Sequence, residues 1–246
     1  MEDFKLFTSL RYDPALIEAP SQGYVTTRWN QTPSPFYMLD FHRDRMLRAA
    51  DHWGWTAASQ TLAGEEGLSR LETLLHEKTA PLGKGPHRVK ILLAQDGCFS
   101  VEVHPTPSVP LRNLLPACLP EPAGEGTAQA ERDKVPVRDF KFNVFVDKQG
   151  TPSSEFTHFK TTHRIMYDEA RSRYGLSLAD PKEVLLVNSE DGSIMEGSIS
   201  TPYFWRNGRW VTPPVSRGFS ATHCSGGNDG TTRRWALERY RIFSQH

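Results

Sequence analysis

His158-Phe159-Lys160-Thr161-Thr162-His163-Arg164 sets one lysine between an aromatic residue and two threonines. It follows a loop and precedes a helix-like run over residues 164–174 that Gly175 ends. A lysine amine can bind an aldehyde covalently, and one used in that way needs partners for the rest of the ligand. Alone, the stretch reads more simply as a solvated lysine. Its meaning depends on whether distant segments supply matching parts.

Downstream, residues 140–146 and 184–188 are strand-like, and Asp191-Gly192 turns the second of these into Ile194-Met195-Glu196-Gly197-Ser198. Residues 203–206 and 209–212 flank Asn207-Gly208, which suits a type I′ hairpin turn. Thr212-Pro213-Pro214 ends that hairpin. The glycine-rich Ser225-Gly226-Gly227-Asn228-Asp229-Gly230 then leads into a last helix, starting at Thr231-Thr232 and running to Ile242.

Upstream, residues 4–11 read as a strand, Tyr12-Asp13-Pro14 as a turn, and residues 18–35 as loop. A helix is expected over 37–53, with Met46, Leu47, Ala50 and Trp53 toward a core and His42 and Arg45 on another face. A second helix is expected over 68–79. A hairpin follows over 88–94 and 99–104, turned by Asp96-Gly97. Residues 105–137 are rich in proline, with one short strand expected over 111–115. This divides the chain into a small α/β domain (1–104), a proline-rich linker (105–137) and a larger domain (138–246).

Composition excludes several classes. The 246 residues suffice for a sizeable core. Lys+Arg 29 balances Asp+Glu 29, which argues against nucleic acid or a membrane surface as partner, since both require a positive field. The start lacks the pattern of a secretory signal or transit peptide, and no stretch approaches the roughly 20 apolar residues of a membrane span. The three cysteines, Cys98, Cys118 and Cys224, show neither metal-ligand spacing nor a disulfide framework, so no metal is expected. The expected compartment is the reducing cytoplasm.

Three segments could complete a ligand site around Lys160. Gly230-Thr231-Thr232-Arg233 puts backbone N–H groups, two hydroxyls and a helix dipole at one place, which suits a phosphate ester. It reads also as an ordinary helix cap, and it lacks the Gly-Lys-Ser/Thr ending of a P-loop. Arg45 could grip phosphate oxygens, or could be a solvated helix arginine. Glu196, followed by small residues, could pair with a protonated pyridine nitrogen, or could be a surface glutamate.

Taken together, the order Arg45, Lys160, Glu196, Gly-Thr-Thr-Arg resembles the fold-type IV pyridoxal-phosphate enzymes, the class IV aminotransferase family. His42-x-x-Arg45 looks like the family's phosphate-arginine helix, and Phe159-Lys160-Thr161-Thr162 like its Schiff-base segment. The run from Val184 through Asn188, Asp191-Gly192 and Glu196-Gly197-Ser198 looks like its ring-acid hairpin. The resemblance spans essentially the whole chain.

It implies an α/β (α+β) fold with a small α/β N-terminal domain and a larger C-terminal domain with barrel-like β structure. It further implies pyridoxal 5′-phosphate as cofactor and a homodimer. By the same resemblance Lys160 is catalytic and binds the aldehyde, Arg45, Thr231 and Thr232 hold the phosphate, and Glu196 meets the ring nitrogen. Within the family, Phe7-Thr8-Ser9-Leu10-Arg11-Tyr12-Asp13-Pro14, Ser34-Pro35-Phe36-Tyr37 and Phe204-Trp205-Arg206 are most similar to the fungal aminodeoxychorismate lyases.

Such a lyase releases 4-aminobenzoate and pyruvate for folate biosynthesis. Its substrate carries two carboxylates, for which Arg11, Arg164 and Arg217 are the candidate partners. The alternatives are an aminotransferase for a branched-chain or D-amino acid, and a cofactor-binding protein without turnover. The chain departs from the family's text at His163 and Thr201, where asparagine is usual.

Overall fold

The computed structural model describes residues 4–24, 33–116, 119, 122, 142–219, 226–240 and 243–244. Much of the expected 18–35 loop and of the proline-rich stretch lies outside them, as do Cys118, Cys224, Ser225, Ile242 and residues 140–141 of an expected strand. The chain divides into two units by its contacts. One holds the described residues up to Leu119 together with Lys160–Thr162, and the other holds the remaining described residues.

In the first unit a three-stranded antiparallel sheet has the order β1 (Leu6–Tyr12), β2 (His87–Leu93), β3 (Phe99–Pro105). β2 alternates, with Val89, Ile91 and Leu93 buried, whereas β1 buries Leu6, Phe7, Thr8 and Leu10 on both its faces. β1 is also not a true edge. The Lys160 segment pairs antiparallel along its free side, with Phe7 N–H donating to Lys160 O at 3.0 Å and Thr162 N–H to Lys5 O at 2.9 Å.

Helix α1 (Leu39–His52) packs on β1, and α2 (Thr56–Leu62) and α3 (Gly64–Thr79) pack in turn on α1. The expected helix over 68–79 therefore begins a full turn earlier, and α2 was not expected. Seven residues with only Ala58 and Leu62 buried give too little periodicity to read. The expected strand over 111–115 is instead a single helical turn, α4 (Leu111–Leu114), closed by Leu115 N–H donating to Leu111 O at 2.8 Å. Pro110 at its N-cap supplies the φ of a helix start, and a four-residue apolar-polar run cannot distinguish the two forms.

In the second unit β4 (Asn143–Val146) runs parallel to β5 (Lys182–Val187), which pairs antiparallel with β6 (Ile194–Gly197). A short α5 (Glu155–His158) is closed by a Ser154/Thr157 capping box. Helix α6 (Ile165–Ser172) covers this sheet, bringing Tyr167 and Ala170 onto Val184, Leu186 and Met195. A second sheet comprises β7 (Phe204–Arg206), β8 (Arg209–Thr212) and β9 (Phe243–Ser244). Its hairpin has Asn207 at φ 51° and Gly208 at φ 71°, the two positive values that a type I′ turn requires. The last helix, α7 (Thr231–Arg239), starts where the Thr-Thr pair predicts. No helix among the described residues is long and apolar enough to cross a membrane.

Candidate functional site

The first unit assembles a positive cluster around β1 and α1. His42 and Arg45, three residues apart on α1, are both buried, so Arg45 is not the solvated helix arginine that its sequence alone allows. Arg45 Nη2 donates to Thr8 Oγ1. The same hydroxyl lies 2.6 Å from His42 Nδ1. Arginine has no lone pair to offer, so Thr8 accepts from Arg45. The set is then satisfied when Thr8 passes its own hydrogen to a bare Nδ1.

Lys160 enters the cluster because its segment pairs with β1. Its Nζ lies 5.0 Å from the centroid of the Phe7 ring, and its segment is fixed by Lys160 O accepting from Phe7 N–H and by Thr162 N–H donating to Lys5 O. Lys5 N–H also donates to Thr162 Oγ1 at 2.9 Å, which gives that threonine a structural role. Burial, then the charge of Arg45 and then that of Lys160 hold the His42 imidazole well below the ordinary histidine range. Arg45 and Lys160, far apart in sequence, thus act on one buried ring, and the field they make there is positive.

The second unit carries the acid. Glu196, half-buried on β6, accepts from the Tyr167 hydroxyl at 2.5 Å. Burial, reinforced by the Glu196 charge, raises the Tyr167 phenol well above the ordinary tyrosine value, so it stays neutral and donates. The turn after Glu196 is clamped from behind. Glu183 Oε1 accepts from Ser198 Oγ at 2.6 Å, and Glu183 Oε2 accepts from Ser200 Oγ at 2.5 Å and from Ile199 N–H at 3.3 Å. Arg171 lies 3.8 Å from Glu183 and donates to Ser198 Oγ at 3.0 Å.

The glycine loop packs against the Glu196 strand. A Cβ on Gly227 would meet Met195 O at 2.5 Å and Glu196 Cβ at 3.3 Å, so only glycine allows this approach. Asn228 Nδ2 donates to His158 O at 2.8 Å, fixing the loop to the residues just before Lys160. Four residues after Gly227, α7 begins. Its first intrahelical bond is Arg234 N–H to Gly230 O at 2.9 Å, so the N–H groups of Thr231, Thr232 and Arg233 precede the ladder and present the positive end of the dipole. Thr231 is buried and Thr232 exposed. Arg233, buried, donates to Pro213 O at 3.0 Å and joins the helix start to the end of β8.

The remaining arginines differ in their surroundings. Arg11 is held by Asp13, its Nε donating at 2.8 Å, and by Pro107 O at 3.0 Å. Arg164 donates to Ser198 O at 2.8 Å and lies 4.1 Å over the Tyr167 ring. Arg217 is exposed in the loop after β8. His163, one of the two departures, stacks on Phe156 at 4.4 Å. Thr201, the other, sits against Gly230, where a Cβ would come within 3.0 Å of its Oγ1.

Sequence reading did not find Thr8, Tyr167 or Glu183. Thr8 carried a signal, a polar residue inside an apolar strand, and so did Glu183, a carboxylate beginning a run of Val and Leu.

Comparison with known proteins identifies a family and a fold. A sequence model of the amino-transferase class IV family matches residues 24–242. The Bacillus subtilis aminodeoxychorismate lyase is 27% identical over 208 residues, covering 82% of this chain and 59% of that protein. A Schizosaccharomyces pombe protein, provisionally given the same name, is 31% identical over 125 residues, covering 49% of this chain and 48% of its own. The chain therefore spans about half to three-fifths of the length of these curated relatives. A Mesorhizobium loti crystal structure, provisionally assigned as an amino-acid aminotransferase, shares the fold at TM-score 0.63 and 22% identity, over 99% of this chain and 86% of that one.

Proposed function

The chain belongs to the class IV amino-transferase family, and from that premise we propose that it binds pyridoxal 5′-phosphate and converts 4-amino-4-deoxychorismate to 4-aminobenzoate and pyruvate. The observation that carries the cofactor assignment is the pairing of the Lys160 segment with β1, which puts an amine in the same cluster as the buried Arg45 guanidinium. The donor set fits the group. An amine suits the aldehyde, a guanidinium and a helix start suit a phosphate, and a carboxylate suits a protonated ring nitrogen. When bound, the cofactor supplies an electron sink for charge developing beside the substrate nitrogen.

In this reading Arg45, Thr231 and Thr232 bind the phosphate and Glu196 holds the proton on the ring nitrogen. Lys160 Nζ takes the proton from the amine-bearing carbon of the substrate. The carbon–oxygen bond to the enolpyruvyl group then breaks, and the six-membered ring becomes aromatic. Lys160 delivers the proton to the methylene carbon of the departing enolpyruvate, which leaves as pyruvate. No second substrate enters, and the atoms of the two products sum to the substrate. Arg217, exposed, is available to a substrate carboxylate. The relatives named as lyases and the matching text at residues 7–14 and 204–206 support this reaction over transamination. By the family resemblance the working form is a homodimer, and the product serves folate synthesis.

The test is incubation of the cofactor-loaded protein with 4-amino-4-deoxychorismate and no keto acid. The expected result is 4-aminobenzoate and pyruvate in equal amounts. Absence of product, with turnover instead on an amino acid plus 2-oxoglutarate, overturns the lyase reading.

A further inference from the structure

We propose that Tyr167 is a positioning residue for Glu196, holding that carboxylate in the orientation from which it meets the cofactor's ring nitrogen. The proposal rests on the role given to Glu196 above. Tyr167 is on α6, and its ring is part of the core made with Ala170, Val184, Leu186 and Met195, so the ring cannot swing. Arg164, at the N-cap of the same helix, lies over the ring at 4.1 Å and donates to Ser198 O, two residues past Glu196. Phenol and acid are therefore held by one frame.

The hydroxyl has two acceptors, Glu196 Oε1 at 2.5 Å and Thr157 O at 3.2 Å. Neither a carboxylate nor a carbonyl donates, and a phenol has one proton. The nearer and charged acceptor takes it. A buried tyrosine needs only one partner to be satisfied, and Thr157 O would suffice for that. The short bond to Glu196 goes beyond that need, since it fixes the rotamer of a side chain on a strand end. With burial keeping the phenol neutral, Tyr167 remains a donor across the ordinary pH range.

The test uses the cofactor-loaded protein and three variants, Tyr167→Phe, Glu196→Gln and the double substitution. Each is read by the visible absorption band of the bound cofactor and by cofactor retention. Tyr167→Phe is expected to move the band toward its position in Glu196→Gln. It is expected also to weaken retention about tenfold, the scale of one hydrogen bond to a charged group. In the Glu196→Gln background it changes neither further, because its effect runs through Glu196.

A merely structural tyrosine would lower the unfolding midpoint equally in both backgrounds and leave the band in place, and that result overturns the proposal. If Tyr167→Phe does not fold, 3-fluorotyrosine at position 167 keeps the ring and alters the phenol. The band moves there too, or the proposal fails. A wild-type protein with no cofactor band overturns the reading of Glu196 itself and this proposal with it. A normal wild-type band with an unaltered Tyr167→Phe spectrum overturns this proposal alone.

Discussion

In the first unit Arg45 and Lys160 both act on one buried imidazole, and both are positive. In the second unit the buried carboxylate of Glu183 is met by Arg171 and by donors from Ser198, Ile199 and Ser200. The second cluster closes on itself, and its bonds hold the turn that follows Glu196. The first gathers two cations around one neutral imidazole, the arrangement that an anionic ligand such as a phosphate ester would complete. Charge that is balanced in place is thus read as scaffold, and charge of one sign gathered at a buried point as binding machinery.

The largest effect that would break this contrast is at Glu183. Removing one partner of a buried ion pair leaves the other uncompensated, so Glu183→Ala is expected to lower unfolding free energy by about 3–5 kcal/mol. Urea denaturation measures this. A loss within the range of ordinary surface substitutions would mean that the second cluster is not a scaffold.

A smaller effect comes from His42. Its folded-state pKa is depressed by burial and by Arg45 and Lys160, so the unfolded chain takes up the proton first as pH falls. The stabilisation is present above the unfolded histidine value of about 6.5 and is lost as pH drops toward the depressed folded value. Between pH 7.5 and 5.5, unfolding free energy should decline with a slope of at most about 1.4 kcal/mol per pH unit from this one proton. The decline should be shallower in His42→Gln. Equal slopes in the two proteins would show that the His42 ring is not held below the ordinary histidine range.

Much of this arrangement could be read from the sequence. The three Asx-Gly turns, α1 and the start of α7 follow from turn chemistry and periodicity, which are local properties. Lys160, Arg45 and Glu196 stood out through family resemblance, and no spacing rule would have grouped residues so far apart. What stayed illegible was what tertiary pairing decides. Residues 160–162 give no strand signal of their own and join β1 through backbone bonds, which any side chains could have made. Tyr167 reads as an ordinary apolar position of α6, since its partner lies beyond a helix, a strand and a turn. Residues 111–115 were misread because one turn of helix and one short strand bury the same few side chains.

The most direct test of the account is borohydride reduction of the protein loaded with pyridoxal 5′-phosphate, followed by peptide mapping. The account predicts one modified peptide, carrying the reduced cofactor on Lys160, and no modification in Lys160→Ala. Label on another lysine, or equal labelling of Lys160→Ala, would contradict it.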